Sequence, residues 1–165
     1  MQKGFTLIEL LVVVLIVGVL SSIALPNYFI AVKTSKIKGQ FPMLRSIMDA
    51  QKRYYLATGQ RTADLDLLDV SMPYLVKGEP TETGRIGYTT KDGNFNLYLN
   101  TSDYIVFGVN GASVTIDYFG ANRSIGGVSA VGLCYAYNDE SRKICERLGP
   151  AVSSNASGLV YAIEN

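Results

Sequence analysis

The chain has 165 residues and a net charge of +1, with 15 Lys and Arg against 14 Asp and Glu, and it contains no histidine. This length allows one domain plus an appendage, and the even spread of basic residues argues against a nucleic-acid-binding domain. Without histidine, phosphate loops or metal-ligand spacings, we expect neither an enzyme nor a bound cofactor or metal.

The first element is a continuous apolar segment near the N-terminus. It runs from Phe5 to Leu25, and Glu9 is its one charged residue. As a helix these 21 residues would span about 31 Å, close to the hydrocarbon thickness of a bilayer. A secretory signal peptide fits less well, because its apolar region is shorter and ends at a small-residue cleavage site, not at Pro26. A buried core helix is disfavoured because almost every face is apolar. We therefore predict one transmembrane helix.

Charge counting leaves the orientation of this helix open. One lysine precedes the segment, and Lys33, Lys36 and Lys38 follow it, so the positive-inside rule alone would place the C-terminal side in the cytoplasm. Two cysteines later in the chain indicate the opposite side, because a disulfide needs an oxidising compartment.

Glu9 is out of place in an apolar segment. A carboxylate in the middle of a membrane helix costs about 2.5–3.5 kcal/mol, and less toward the end. No Lys or Arg lies three or four residues from Glu9. We expect its partner on another molecule, or at a free ammonium created on Phe5 by cleavage after Gly4. Pairing with a neighbour's ammonium would fix the register between subunits, because a wrong shift leaves the charge unpaired.

The residues around Glu9 also carry a resemblance. The stretch GFTLIELL, residues 4–11, resembles the processing site of type IV prepilins and type II secretion pseudopilins, which share a short basic leader ending in Gly and then Phe-Thr-Leu-Ile-Glu. Those families place a proline seventeen residues after the glutamate, and Pro26 stands there. The match covers about residues 1–30. The alternative is a generic single-pass anchor with a stray glutamate.

The resemblance implies a fold, a processing step and an assembly. The fold would be the α+β type IV pilin fold, with a long N-terminal helix packed on an antiparallel sheet. A prepilin peptidase would remove the leader, residues 1–4, by cutting after Gly4, and Phe5 would then be N-methylated. The subunit would wait in the lipid of the inner membrane with its head in the periplasm. The inner-membrane assembly platform would then build a homo-oligomeric helical filament outside the cell.

Gly18 and Pro26 bracket the weakest part of the apolar helix. Gly costs about 1 kcal/mol relative to Ala, and Pro removes one backbone hydrogen bond. Ser21 and Ser22 lie between them and can bond back to the backbone. In similar filaments this segment loses helicity on assembly, and we expect the same from Gly18 to Pro26. An ordinary proline kink is the alternative.

After the membrane segment, residues 5–25, the pattern becomes amphipathic over residues 26–58. We expect one helix of about fifty residues, ending near Ala57 with Gly59 just past its end. Pro42 should kink or interrupt it. The apolar residues at helical spacing are Ile37, Phe41, Leu44, Met48 and Tyr55.

Residues 59–83 are predicted to form a connecting loop. Asp64, Asp66 and Asp69 raise a calcium hypothesis, because hard cations bind clustered oxygens, but their spacing is not that of an EF-hand. The leucines between them indicate instead a loop docked on the core, which we favour.

Residues 84–165 contain short runs rich in Tyr, Val, Ile and Phe, separated by turn residues. Asp92-Gly93 and Asn110-Gly111 are strong hairpin signals. We expect an antiparallel meander of three or four strands packed on the second half of the helix, and the tail 153–165 is a further edge-strand candidate. The predicted strands are Arg85–Thr90, Asn94–Asn100, Ile105–Asn110 and Ser113–Tyr118.

The two cysteines, Cys134 and Cys145, are predicted to form a disulfide in an oxidising compartment. Asn138 is expected to cap a short helix, Asp139–Leu148, that carries the second cysteine and stops at Gly149. A redox-active pair would need a CxxC motif or an activating base, and the sequence has neither. A Cys-bounded loop near the C-terminus also resembles that of type IV pilins, and is less typical of the major pseudopilin of type II secretion.

Three functions remain in competition. The first is a structural subunit of a type IV pilus serving motility, adhesion or DNA uptake, with nucleic acid a partner only in the last case. The second is a pseudopilin of a type II secretion or competence system, and the third is a monomeric anchored binding module. The disulfide favours the first over the second. A folded subunit that never forms filaments with Glu9 intact would favour the third.

Overall fold

The computed structural model describes residues 4–101, 104–110, 112, 114–125, 127–155 and 158–163. Predictions that involve leader residues 1–3, Gly111, Ser113 and tail residues 156–157 and 164–165 fall outside this described part. The elements in chain order are α1 (Leu7–Lys38), α2 (Phe41–Thr58), a 3-10 turn (Leu65–Leu67), β1 (Leu75–Pro80), β2 (Ile86–Thr90), β3 (Phe95–Leu99), β4 (Ile105–Val109), β5 (Val114–Ile125), β6 (Val128–Ala136), α3 (Asp139–Glu146), β7 (Ala151–Asn155) and β8 (Gly158–Ile163).

The long N-terminal helix is interrupted, as the sequence predicts. Helix α1 ends at Lys38, and a short turn at Gly39 leads into α2. Pro42 lies in the first turn of α2, where its missing N–H leaves no helical hydrogen bond unmade. Helix α2 ends at Thr58, and Gly59 follows in the left-handed conformation with φ 73°, which confirms the predicted glycine stop.

The sheet has eight strands in the order β1-β2-β3-β4-β5-β6-β8-β7, all neighbours antiparallel. The prediction of three or four strands is therefore wrong in number, although the four predicted strands correspond to β2 to β5. Strand β1 lies inside segment 59–83, which was predicted to be a loop, because its sequence LVKGEP is that of an exposed edge without alternation. Strand β6 has three successive buried residues, 130–132, and its burial alternates only from there to Ala136, so no period of two runs along the whole strand. The tail forms the β7–β8 hairpin, with β7 at the edge.

One face of the sheet packs against the helices and forms the core. Phe41 at the start of α2 stacks on Tyr118 at 5.6 Å between ring centroids and meets the Phe107 ring edge-on at 6.1 Å. The predicted burial of Tyr55 is wrong, since this residue is 44% exposed. The buried stripe of α2 is centred on Ile47, so Tyr55 falls at its margin in the last turn, where the Arg61 guanidinium lies over its ring. Buried helix residues are Ile30, Thr34, Ile37, Leu44, Ile47, Ala50 and Gln51.

Candidate functional site

Residues 4–6, directly before α1, are exposed and non-helical. Gly4 and Phe5 lie outside any helix or strand, and Phe5 is 84% exposed. A Cβ placed on Gly4 would meet no atom within 4 Å. The peptide bond between Gly4 and Phe5 thus lies in an exposed, non-helical part of the described chain.

Glu9 takes part in a capping box at the start of α1. Thr6 is the N-cap, and its hydroxyl accepts a hydrogen bond from the Glu9 backbone N–H at 3.3 Å. In return, Glu9 Oε2 accepts one bond from the Thr6 backbone N–H and one from the Thr6 hydroxyl, each at 2.8 Å. The Thr-x-x-Glu spacing is a known signature of this motif, and our sequence analysis missed it because it considered only cationic partners.

The capping box gives Glu9 hydrogen bonds but no counterion among the residues that the structure describes. In the described part of the chain, no Lys or Arg forms an ion pair with Glu9, and its Oε1 accepts no hydrogen bond. Glu9 therefore has hydrogen-bond partners within its own chain, which the search for a cationic partner did not predict.

A long apolar surface follows Glu9. Every large hydrophobic side chain from Phe5 to Phe29 is exposed, and the first buried residue of the helix is Ile30. Leu7–Thr58 contains 18 consecutive residues with a mean hydropathy of 2.8, and none of them is buried. This stretch is therefore long and apolar enough to cross a membrane. A surface of this extent needs either lipid or other protein around it.

Helix α1 is continuous through its two weak positions in the isolated subunit. Pro26 lies inside the helix, and Gly18 has open space around it. The Ser22 hydroxyl donates to the Val19 carbonyl at 2.7 Å, and the Asn27 side chain donates to the Ile23 carbonyl at 3.2 Å. The predicted bond from Ser22 back to the main chain is thus present. Side chains that bond to helix carbonyls in this way slightly destabilise a helix and often bend it.

An ion pair joins α1 to α3, and a disulfide joins α3 to the sheet. Lys33 of α1 donates to Glu140 of α3 at 2.5 Å. Cys145 of α3 is bonded to Cys134 of β6 with 5.6 Å between Cα atoms, which confirms the predicted disulfide. Helix α3 packs against α1, β6 and β8, so it lies between the N-terminal helix and the sheet.

A second capping box fixes the start of α3. The Asn138 side chain accepts from the Ser141 backbone N–H, and the Asn138 backbone N–H donates to the Ser141 hydroxyl, each at 2.8 Å. The predicted cap is confirmed. The helix ends at Glu146, two residues before the predicted Leu148, and the Gly149 backbone N–H donates to the Cys145 carbonyl at 3.2 Å.

The aspartates of the 59–83 segment are neutralised by basic side chains. Lys77 Nζ donates to Asp64 at 2.6 Å and to Asp66 at 2.9 Å, and the hydrogen bond from Lys77 lowers the pKa of Asp64. Arg53 forms two hydrogen bonds to Asp69, and these bonds lower the pKa of Asp69. Among the described residues no group of three or more His, Cys, Asp or Glu could hold a metal ion, so the calcium hypothesis finds no site there. Two of the leucines, Leu65 and Leu68, are buried, as expected for a docked loop.

The comparisons with known proteins agree with this geometry. Residues 1–25 match the model of the prokaryotic N-terminal methylation motif. The chain is also similar to type IV pilins. It is 34% identical over 104 residues to fimbrial protein Q of Moraxella bovis, covering 61% of this chain and 57% of that protein. It is 33% identical over 94 residues to the type IV major alpha-pilin of Moraxella bovis, covering 55% and 50%.

A third relative is the type IV major pilin protein PilE of Neisseria gonorrhoeae, 32% identical over 101 residues, covering 58% of this chain and 60% of that protein. The chain thus spans between half and about three fifths of the length of these relatives. No solved structure gives a significant match. The α+β architecture, a long apolar helix packed on an antiparallel sheet, is consistent with the type IV pilin fold.

Proposed function

We propose that this protein is a structural subunit of a type IV pilus. The observation that carries the proposal is the exposed apolar surface of α1 from Phe5 to Phe29, preceded by an accessible Gly4-Phe5 bond within a matching methylation motif. Two of the similar proteins are named as type IV major pilins. A pilus subunit is stored in the membrane, and its apolar helix later packs against other copies of itself. This accounts for the exposed apolar surface, the accessible Gly4-Phe5 bond and the similarity to pilins.

The first step is processing at the N-terminus. A prepilin peptidase cuts after Gly4, and the new amino group of Phe5 is methylated. The exposed, non-helical backbone at Gly4 and Phe5 supports this step, because proteolytic cleavage favours accessible segments outside helices and strands. Cleavage also creates the cation that Glu9 lacks in the described chain.

The second step is assembly. The subunit waits in the inner membrane with its head in the periplasm, and an assembly platform moves it into a homo-oligomeric filament outside the cell. Other copies of α1 then replace lipid around the apolar surface. Glu9 pairs with the Phe5 ammonium of an adjacent subunit, and this pairing sets the register, because an unpaired carboxylate in an apolar filament core is costly.

The third step is a local loss of helicity between Gly18 and Pro26. Proline supplies no N–H at its position, and the side chains of Ser22 and Asn27 already bond to helix carbonyls. Unwinding this stretch lengthens the segment without disturbing the buried residues that begin at Ile30.

A pseudopilin of a type II secretion or competence system is the second candidate, because the same N-terminal motif serves both kinds of subunit. The buried disulfide between Cys134 and Cys145 favours the pilus subunit over the major pseudopilin of type II secretion. Nucleic acid is a partner only where the filament serves DNA uptake.

One experiment tests the proposal and separates the two candidates. Surface filaments are sheared from cells that express the chain, viewed by electron microscopy, and the N-terminus of the subunit is measured by mass spectrometry. A pilus subunit is recovered in long filaments and begins with N-methylated Phe5. Recovery of a chain that retains its first four residues contradicts the processing step, and absence of filaments from the sheared material favours the pseudopilin.

A further inference from the structure

The face of the sheet that points away from the helices carries a groove. Residues along each strand alternate between the two faces, so the burial of Leu97 and Phe107 against the helices turns Tyr98 and Gly108 outward. We call this depression the tyrosine groove, and its volume is about 450 Å³. It is lined by Asn96, Tyr98, Val106, Phe107, Gly108, Val109, Asn110, Val114, Thr115 and Tyr137.

Two exposed tyrosine rings and a glycine shape the tyrosine groove. Tyr98 is 42% exposed and Tyr137 is 52% exposed. The Tyr98 ring occupies the space above Gly87 of the neighbouring strand, where a Cβ would lie 3.2 Å from its Cε1. Between the tyrosines, Gly108 has no side chain to fill the depression. Gly108 thus lies in the lining of the groove, and Gly87 gives the Tyr98 ring room on the neighbouring strand.

The polar groups of the tyrosine groove are oriented by hydrogen bonds. The Thr89 hydroxyl donates to Asn96 Oδ1 at 2.9 Å, and Asn96 Nδ2 donates to Asn110 Oδ1 at 2.9 Å. Asn110 Nδ2 in turn donates to the Gly93 carbonyl. Each amide retains a second N–H and a second oxygen lone pair for a ligand, so the network presents donors and acceptors in fixed directions.

The lining is neutral, which restricts the ligand. None of the ten lining residues carries a charge. Asp117 lies on the same face, opposite Val106, but it is partly buried and accepts a hydrogen bond from the Tyr135 hydroxyl at 2.9 Å. A charged ligand would find no counterion among the lining residues, whereas a neutral ligand needs none.

We propose that the tyrosine groove binds a neutral hexopyranose unit of a carbohydrate. A pyranose ring has an apolar C–H face that packs on an aromatic ring and a rim of hydroxyls that both donate and accept. The tyrosine rings can pack on the C–H face, and the oriented amides can form hydrogen bonds with the hydroxyls. Because the groove is open to solvent, the bound unit belongs to a longer glycan that continues on either side.

This inference goes beyond the proposed function, because the groove belongs to the folded head whether or not the subunit polymerises. The test uses the full chain in a zwitterionic detergent without a sugar head group. Saturation-transfer NMR measures binding of maltose, lactose and cellobiose, and a parallel arm measures retention on beads that carry the same disaccharides. Binding to both free and bead-linked sugar is expected for at least one disaccharide, with a Kd on the order of 1 mM.

Four variants locate the site. Tyr98→Ala and Tyr137→Ala are expected to weaken binding about tenfold each, and Tyr137→Phe to retain most of it, because the ring face is kept. Tyr55→Ala removes a similarly exposed tyrosine on α2 and is the matched control, expected to bind as the wild type does. Thermal unfolding of each variant shows whether the head is intact, and Tyr137→Ala alone decides the point if Tyr98→Ala unfolds.

Three results would overturn the proposal. The first is no saturation transfer to any of the three disaccharides at about 50 mM, where a millimolar site would be nearly full. The second is equal binding by Tyr137→Ala and Tyr55→Ala, which would place the contact elsewhere. The third is competition by the cation choline or the anion N-acetylneuraminate, which would show that the groove selects a charged ligand.

Discussion

Lys33 and Glu140 form a 2.5 Å hydrogen bond between α1 and α3, across 107 positions of the sequence. Their side chains are 28% and 41% exposed. Glu140 lies on the helix that the disulfide holds to β6, and Lys33 lies on the helix that continues into the apolar segment. The pair therefore connects the apolar helix to α3, which the disulfide holds on the sheet.

Reversing either charge should loosen this connection. Lys33→Glu or Glu140→Lys places like charges together, and each is expected to lower the free energy of unfolding by about 1–2 kcal/mol and to reduce filament yield. The double variant Lys33→Glu/Glu140→Lys should recover most of both losses. Thermal unfolding and quantification of sheared filaments provide the measurements.

The matched control for this pair is Lys52→Glu, which reverses an exposed lysine of α2 for which no ion pair is found among the described residues. Its free energy of unfolding should change by less than about 0.5 kcal/mol. If the double variant is no better than the single ones, the two side chains do not act as a pair.

Removal of the disulfide should weaken the head as a whole. Cys134→Ala/Cys145→Ala opens a loop between two buried cysteines, and the chain-entropy model gives a loss of about 3 kcal/mol. Denaturant unfolding of the purified full chain measures the loss. Wild-type protein reduced with dithiothreitol is the control and should unfold at nearly the same denaturant concentration as the variant. An unchanged midpoint in both samples would mean that α3 is held by packing alone.

Half-burial of Asp117 predicts a pH-dependent stability with a definite sign. Burial raises the pKa of its carboxyl above the usual 3.8, although the hydrogen bond from Tyr135 and the charge of Arg85 oppose the rise. Because its folded-state pKa is raised, the contribution of Asp117 to stability is fully present below 3.8 and is lost as the pH rises through the folded-state pKa. Asp117→Asn still accepts the tyrosine hydrogen bond and has no such fall.

We therefore expect Asp117→Asn to match the wild type near pH 3 and to exceed it at pH 7 by less than about 1 kcal/mol. Thermal unfolding from pH 3 to pH 7 should show the difference in stability between Asp117→Asn and the wild type increasing. Tyr135→Phe is the control, because it removes the bond that favours the ionised form and should be destabilised more at pH 7 than at pH 3. A gap that closes as the pH rises would contradict the sign.

The features that could be predicted from the sequence are those signalled by a few neighbouring residues. The apolar run, Pro42, Gly59 and the two cysteines each left a local signal, and each has the expected structural role. Alternating strands β2 to β5 were also found, because one face of each is buried and the other is not.

The remaining features depend on contacts that the sequence does not encode locally. Strand β6 has three successive residues, 130–132, buried inside the sheet, so its alternation covers only its second half and it was not predicted as a strand. The pairing of Lys33 with Glu140 needs the complete fold before the two residues meet. The Thr6–Glu9 capping box was within reach of the sequence, since its four-residue signature is local.

The capping box gives Glu9 two separable roles, and three variants distinguish them. Glu9→Gln keeps an oxygen that accepts from Thr6 and loses the charge, Glu9→Ala loses both, and Thr6→Ala loses the cap and keeps the charge. If the carboxylate acts as the partner of a neighbour's ammonium, both Glu9 variants should lose filaments and Thr6→Ala should retain most of them. Filament yield after shearing and thermal unfolding of the head are the two measurements.

Thermal unfolding should be unchanged in all three variants, because Glu9 and Thr6 are exposed and the first buried residue of α1 is Ile30. A loss of filaments with an intact head therefore reports on assembly and not on folding. The opposite order of effects, with Glu9→Gln assembling normally and Thr6→Ala failing, would assign Glu9 to helix capping. In that case the register between subunits would have to come from the shape of the apolar surface, since no other acidic residue lies between Phe5 and Phe29.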